Sequence, residues 1–263
     1  MERLYIILLG IIQSEPNDSI DCQIANYLLE HIQDLNDITA NDLAQTCQVS
    51  KSSISRFTRR VGLNDFYELK HLLHHYQPNL SKFDFTARSD NENSMIQYIE
   101  TVSQYIHDLK YSLDFDAIEE ITNDIYHYPK VIIAGSLQAN SVCLNLQLNL
   151  FSSGKVAQAK VKYSELREII DKADSQTLII VLSSTGKFFQ RLFVRDQRLL
   201  RKDKPKIYLV TASAKLSELP YVDKAINFHA LSDFASGALQ IEVITNLIAR
   251  RYNEKIRTHF FDQ

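Results

Sequence analysis

Cysteine is scarce in this chain: its 263 residues include three, Cys22, Cys47 and Cys143, far apart and set in helical patterns. An odd number at such spacing excludes a disulfide framework and matches no zinc-ligand pattern, so a reducing cytoplasm is the expected compartment. Glycine is scarce too, at six. No G-x-G-x-x-G fingerprint, Walker loop, nucleophile elbow or paired-carboxylate motif occurs. Membrane-spanning apolar runs are missing. The run Leu4 to Ile12 is broken by Gly10, follows a start with as much acid as base, and leads into Gln13-Ser14-Glu15-Pro16. It is too short for a bilayer and lacks a signal-peptide cleavage site, so it reads as a first helix packed on its neighbours or on a partner subunit.

A strong charge imbalance is also absent, since 29 Lys+Arg face 32 Asp+Glu for a net −3. That balance argues against indiscriminate polyanion binding, but local distribution says more. Residues 1–80 hold six bases (Arg3, Lys51, Arg56, Arg59, Arg60, Lys70) against ten acids, yet Lys51 to Arg60 concentrates four bases and no acid. With 45% hydrophobic residues the chain is long enough for two modest domains, each with its own core.

The basic stretch lies inside ITANDLAQTCQVSKSSISRFTRRVGL, Ile38 to Leu63, which reads as two short helices around a tight turn. Leu43, Ala44, Val49, Ile54, Phe57 and Val61 supply an inner face, and Ser50 stands where an N-cap should open the second helix. Ser52, Ser55, Arg56 and Arg59 recur on the opposite side at i, i+3, i+4, i+7. One face packs while the other is free to touch DNA. Ser52, Ser55 and Arg56 are candidates for base edges, and Lys51, Arg59 and Arg60 for phosphates. The competing reading is a solvated amphipathic helix in a small bundle.

Asn64 begins a further helical stretch, ended by the Pro78 region, and Gln77 to Asn93 is polar and aperiodic, as a linker would be. Ser94 to Leu113 and Phe115 to Tyr128 pattern as helices. Then Lys130–Gly135, Lys155–Ala159, Thr177–Leu182, Lys206–Thr211 and Ala225–His229 form short β-rich runs, mostly separated by helical segments. The three strongest runs are nearly continuous in apolar residues, as strands buried on both faces require, which predicts a doubly wound parallel sheet. Ligands of such sheets bind beyond the carboxyl ends of the strands, at the loops after Ile133 and Leu182. The last helix, Asp233 to about Tyr252, has a broad apolar face (Leu239, Ile241, Val243, Ile244, Leu247, Ile248), implying deep burial or a subunit interface.

Ser183, Ser184, Thr185, Gly186 and Lys187 place hydroxyls, a glycine and an ammonium between a buried strand and a helix, a workable anion cradle. The same residues also suit an ordinary strand-to-helix turn whose Ser and Thr merely cap the helix. Gly135 and Ser136 begin the weaker loop, where Leu137 obstructs close backbone approach. His71, His74 and His75 have no Cys or carboxylate completing a metal set and read as an exposed helix face. His229 has no assignable acid or nucleophile partner. No catalytic residue, metal site or cofactor is expected.

Residues from about Ser19 to Leu73, with IANYLLEHI followed by ITANDLAQTCQVSKSSISRFTRRVGLNDFYELK, resemble the N-terminal domain of the RpiR/MurR family of bacterial transcriptional regulators. KVIIAGSLQANSVCLNLQLNLFSSG and LIIVLSSTGKFFQ resemble the first strand-loop-helix and a later strand-loop of that family's sugar isomerase (SIS) domain. The resemblance implies a homodimer or homotetramer that binds a palindromic operator on double-stranded DNA and answers to a phosphosugar or related metabolite. It also exposes departures. The family's second glycine and phosphate-binding serine fall on Leu137 and Ala139, its usual threonine on Phe188 and its glutamate on Gln190, while Gln48 stands where the turn often carries glycine.

The expected architecture is α + α/β: an all-helical helix-turn-helix domain at 1–76, a linker at 77–93, and a SIS-like effector-binding and dimerisation domain at 94–263. The expected function is DNA-binding transcription regulation tuned by a small ligand at Gly135, Ser136, Ser183, Ser184, Thr185, Gly186 and Lys187, a site narrowed by Leu137 and Phe188. The rivals are a SIS-like domain that only dimerises, and a sugar-phosphate isomerase whose N-terminal helices only oligomerise.

Overall fold

Short polar side chains open the helices of the N-terminal region. In the protein's computed structural model, which describes residues 4–35, 37–61, 63–74, 92–160, 163–186, 188–189, 203–216, 219, 221–230 and 236–261, the first helices are α1 (Leu4–Ser14), α2 (Ile20–Glu30), α3 (Ala40–Thr46), α4 (Lys51–Arg60) and α5 (Phe66–His74). Ser19 caps α2 by accepting from the Cys22 N–H, Thr39 caps α3, and Ser50 caps α4. One core gathers Leu4 and Leu8 of α1, Ile24, Ala25 and Leu28 of α2, Leu43 and Ala44 of α3, Ile54 and Phe57 of α4, and Leu69 and Leu73 of α5. The apolar run near the start is thus a helix packed on its own domain. The chain divides into two compact units, Met1–Asn79 and Leu80–Gln263.

The second unit begins with α6 (Glu92–Ser112) and α7 (Phe115–His127), followed by β1 (Lys130–Gly135), α8 (Gln138–Phe151), β2 (Gln158–Lys160), α9 (Tyr163–Asp171), β3 (Thr177–Leu182), β4 (Lys206–Thr211), a 3-10 turn at Ala214–Leu216, β5 (Lys224–Asn227) and α10 (Ser236–Phe261). Asp114 caps α7 by accepting from the Ala117 N–H. All strand pairs are parallel, in the order β2-β1-β3-β4-β5. Alternation along the strands sorts the apolar side chains onto two faces. Val131, Ile133, Leu178, Ile180, Tyr208 and Val210 join a core with α7, α8 and α10, whereas Ile132, Ala134, Ile179, Val181, Ile207 and Leu209 join Leu166 and Ile170 of α9. This is the doubly wound sheet that the strand pattern predicts.

Three expected boundaries shift. The run Lys155–Ala159 forms a strand only at Gln158–Lys160, because α8 unwinds through a turn in which Gly154 has φ +85° and the Lys155 N–H returns to the Leu150 carbonyl. Lys155 Nζ then donates to the Tyr128 carbonyl at 2.6 Å, which holds the connection beside the start of β1. The strand expected at Ala225–His229 runs instead from Lys224 to Asn227, where pairing with Tyr208–Thr211 of β4 ends. The last helix continues to Phe261, and Glu92 and Asn93 belong to α6 rather than to the linker. Residues 77–91 of the expected linker, and the expected helix start at Asp233, lie outside the described residues. No described helix is long and apolar enough to cross a membrane.

Candidate functional site

The turn between α3 and α4 is built from local hydrogen bonds. Thr39 and Asp42 form a capping box: the Thr39 N–H and hydroxyl both donate to Asp42 Oδ2, at 3.0 and 2.6 Å, and the Asp42 N–H returns to Thr39 Oγ1. The Thr39 hydroxyl holds the Asp42 carboxyl below its usual range. At the other end of α3 the Val49 N–H reaches the Ala44 carbonyl and the Gln48 N–H reaches Gln45, with Gln48 at φ +53°. This is a Schellman close with glutamine where glycine is favoured, and Val49 and Ala44 make its apolar contact. Ser50 then accepts from the Ser53 N–H at 3.1 Å and opens α4 at a fixed angle to α3.

On α4, Ile54 and Phe57 point into the core and Val61 follows them, while Lys51, Ser52, Ser55, Arg56, Arg59 and Arg60 are exposed. Two of these side chains are not independent. Arg56 Nη2 donates to Ser53 Oγ at 3.2 Å. Arg60 forms an ion pair with Asp21 of α2, whose side chain is 6% exposed. Burial pushes the Asp21 carboxyl up, and the Arg60 charge only partly offsets it. The periodicity that groups the α4 bases on one side carries no sign of this inward pairing. His71 and His74 are exposed on α5, His75 lies outside the described residues, and no three described His, Cys, Asp or Glu gather as a metal set.

In the second unit the sheet reverses its winding between β1 and β3, which pair through Gly135 and Leu182 at their carboxyl ends. α8 leaves β1 on one face and α9 leads into β3 on the other, so the Gly135–Ser136 and Ser183–Gly186 loops flank a crevice at the switch point. Gly135 is demanded by packing: a Cβ there would stand 2.8 Å from Cys143 Sγ and 2.9 Å from Ala139 Cβ. Burial lifts the Cys143 thiol to about 12, which removes it as a nucleophile. Leu137 keeps a glycine-like backbone, φ +53° and ψ −116°, at the start of α8. The Ala139 and Asn140 N–H groups are occupied by the Ser136 and Leu137 carbonyls.

The β3 loop is a tight turn stitched to β4. Ser183 N–H donates to Val210, Gly186 N–H to Ser183, and Ala212 N–H to Ser184. Gly186 has φ +74°, and a Cβ there would lie 1.8 Å from Leu216, so two constraints require glycine. Ser183 is buried, Ser184 half-buried and Thr185 exposed. None of the hydrogen bonds among the described residues uses these three hydroxyls. Lys187 and Gln190 lie outside the described residues. Phe188 does not narrow the crevice as expected. It is buried with Phe189 in the α9-side core, where apolar contact outweighs exposure beside the loop.

Residues outside the two loops also converge here. Asn145 bonds Glu242 and Asn149 bonds Asn246, both at a separation of 97 positions, so α8 and α10 run parallel and in step. The same offset sets Asn140 level with Gly237, where a Cβ would stand 2.3 Å from Ser184 Oγ. Two helix N-termini therefore flank the Ser183–Gly186 turn, and their dipoles favour negative charge. Asn140 Oδ1 is buried without a hydrogen-bond partner, as is Gln240 Oε1, whose Nε2 donates to the carbonyls of Tyr105 and His229. His229 is exposed.

The helix-turn-helix domain of the rpiR family matches residues 9–79. An uncharacterized HTH-type transcriptional regulator of Caldanaerobacter subterraneus subsp. tengcongensis is 42% identical over 50 residues, covering 19% of this chain and 18% of that protein. The match thus spans under a fifth of that relative's length. Among solved structures, the sugar isomerase domain of an RpiR transcription factor from Sphaerobacter thermophilus superposes at TM-score 0.50 and 15% identity, covering 65% of this chain and all of that one. The E. coli CFT073 protein c3406, in complex with a sugar phosphate, superposes at TM-score 0.51 and 14% identity, over 62% of this chain and 92% of that one. At these identities the likeness is one of fold. The chain belongs, through its helix-turn-helix, to the RpiR family, and carries behind it a domain of the sugar isomerase fold.

Proposed function

We propose that the protein is a cytoplasmic, homodimeric transcription regulator whose operator affinity is set by a small, phosphorylated ligand at the sheet switch point. The observation that carries the DNA reading is α4 itself, a capped helix exposing Lys51, Ser52, Ser55, Arg56 and Arg59 on the side opposite Ile54 and Phe57. Its N-terminal residues are placed for base edges, and its cations for phosphates. Two copies, one per half-site, supply the specificity that one short helix lacks. The division at 1–76, 77–93 and 94–263 gives the reading and sensing parts.

The ligand reading rests on the convergence of Ser183, Ser184, Thr185, Asn140 and two helix N-termini, and on the sugar phosphate held by the E. coli protein of like fold. Such a ligand acts by binding the DNA-competent and incompetent arrangements unequally. An isomerase needs a placed acid and base, and Gln190 stands where the family loop has its glutamate, which supports sensing rather than catalysis. Selection of bound sequences from a random DNA pool by the purified chain, with and without sugar phosphates, tests this. A two-fold symmetric site whose recovery changes with one compound is expected. Recovery of no preferred sequence would sink the regulator reading, and a site indifferent to every compound would leave a domain that only dimerises.

A further inference from the structure

We infer that the outward face of α8 is the surface through which two copies of this chain pair, an inference that rests on the dimeric reading above. α8 is apolar on two opposite sides. Ala139, Val142, Cys143, Leu146 and Leu150 are buried in the chain's own core. The other side presents Leu144, Leu148 and Phe151 at i, i+4, i+7, exposed by 47%, 64% and 64%, and Val156 beyond the helix is 67% exposed. A helix apolar all round belongs in an interior. Nothing among the described residues buries this side.

Charge leads to the same place and selects the occupant. From Val131 through Gly154 the sequence has no Asp, Glu, Lys, Arg or His, although 23% of the chain is charged. Loss of charge together with exposed Leu and Phe marks the centre of homodimer interfaces. A foreign partner is selected by complementary charge, and this face offers none. An identical face needs none and meets no like-charge repulsion. The spacing is also self-complementary. With a two-fold axis at Leu148 and the helices antiparallel, Leu148 meets its own copy, and Leu144 meets Phe151 of the partner subunit. A standard interface buries ~800 Å² per partner, more than one apolar stripe supplies. The uncharged neighbours Ser141 and Ser152, with Val156 beside the short edge strand β2, extend the patch without adding charge.

Light scattering of the full chain at micromolar concentration, with Leu148→Arg, Phe115→Arg and Leu148→Cys beside the native protein, tests the assignment. Phe115 is also an exposed apolar residue of this unit, at 51%, and controls for a new surface charge. The native chain and Phe115→Arg should be dimers, and Leu148→Arg should weaken association at least tenfold with its circular dichroism unchanged. Leu148→Cys, mildly oxidised, should give a cross-linked dimer that reducing agent reverses, and this arm holds even if the arginine variant does not fold. A dimeric Leu148→Arg together with no cross-link would overturn the surface while leaving the dimer intact. A monomeric native chain would instead overturn the dimeric reading itself. A lowered melting temperature with unchanged mass in Leu148→Arg would show that the chain's own residues cover α8, and would also overturn the proposal.

Discussion

Arg60, the last residue of the recognition helix, is paired with Asp21 at the start of α2. The arginine side chain is 61% exposed and the aspartate 6%, so one end of the pair is in water and the other in the domain. This sets Arg60 apart from Arg59, its neighbour in sequence, which is exposed on the outer side of the helix. Arg60 anchors the end of α4 to α2 and fixes the angle at which Ser52, Ser55 and Arg56 are presented.

Replacing Arg60 and Arg59 should therefore have different consequences. Arg60→Ala strands a carboxylate in the domain and should cost about 1–3 kcal/mol of stability, as loss of one partner of a buried charge does. Arg59→Ala, an exposed change, should stay within about 0.5 kcal/mol. In DNA binding the order reverses in kind: Arg59→Ala should weaken all sequences alike and reduce the salt slope, as loss of a phosphate contact does. Thermal melts and salt titrations of both variants decide the matter, and equal melting temperatures would remove the anchoring role from Arg60.

Asp21 also makes a pH prediction with an unusual sign for a carboxylate. Its folded-state pKa is raised, chiefly by burial, above its ordinary 3.8. A group with that shift binds its proton more tightly when folded. The stability it contributes is fully present below the unfolded value and is lost as pH rises through the folded value. Asp21→Asn should flatten the pH dependence of N-terminal unfolding in that window. The second unit holds the opposite case. Glu120, held low by hydrogen bonding to Lys224, contributes stability above its ordinary 4.5 that is lost as pH falls through its folded value. Melting curves between about pH 3 and 7 for Asp21→Asn and Glu120→Gln should deviate from the native curve in opposite directions, and parallel deviations would contradict the assignment.

The readable parts of the chain are those encoded locally. The α4 face follows from a 3.6-residue period and Ser50, and β1, β3 and β4 follow from continuous apolar runs whose limits the structure keeps unchanged. β2 departs from its expected range because a three-residue edge strand has no pattern of its own, and the turn at Gly154 decides where it begins. Pairings between remote segments leave no trace in the sequence: Arg60 with Asp21, and Ser184 with Gly237. Leu137 is intermediate. The loss of a glycine is visible, but not that the backbone retains the glycine conformation beneath a leucine.

Both positive-φ side chains mark stored strain, since among the described residues only Gln48 and Leu137 adopt it without being glycine. Such a residue costs of order 1 kcal/mol or more. Gln48→Gly and Leu137→Gly should each stabilise their own unit by roughly 0.5–1 kcal/mol, the gain being reduced by the greater freedom of glycine in the unfolded chain. Denaturant melts of the two variants measure this. A loss of stability in Gln48→Gly would mean that the turn between α3 and α4 is not strained.

The crevice supplies the final test, because its hydroxyls can be removed without disturbing the bonds that build the turn. Ser183, Ser184 and Thr185 make the β3 loop through their backbone groups, whereas their side-chain oxygens take no part in the hydrogen bonds among the described residues. Ser183→Ala with Thr185→Ala should leave the fold and ligand-free DNA binding nearly unchanged, and should weaken a bound phosphate ester by roughly 2 kcal/mol or more as donors to an anion are lost. Gly237→Ala approaches the same site from α10. Its new methyl would stand 2.3 Å from Ser184 Oγ, so the hydroxyl must turn away. Ligand-dependent shifts in melting temperature across a panel of sugar phosphates should be largest in the native chain and smaller in both variants, since a ligand bound only to the folded state must stabilise it. Equal shifts in all three proteins would place the ligand elsewhere on the domain.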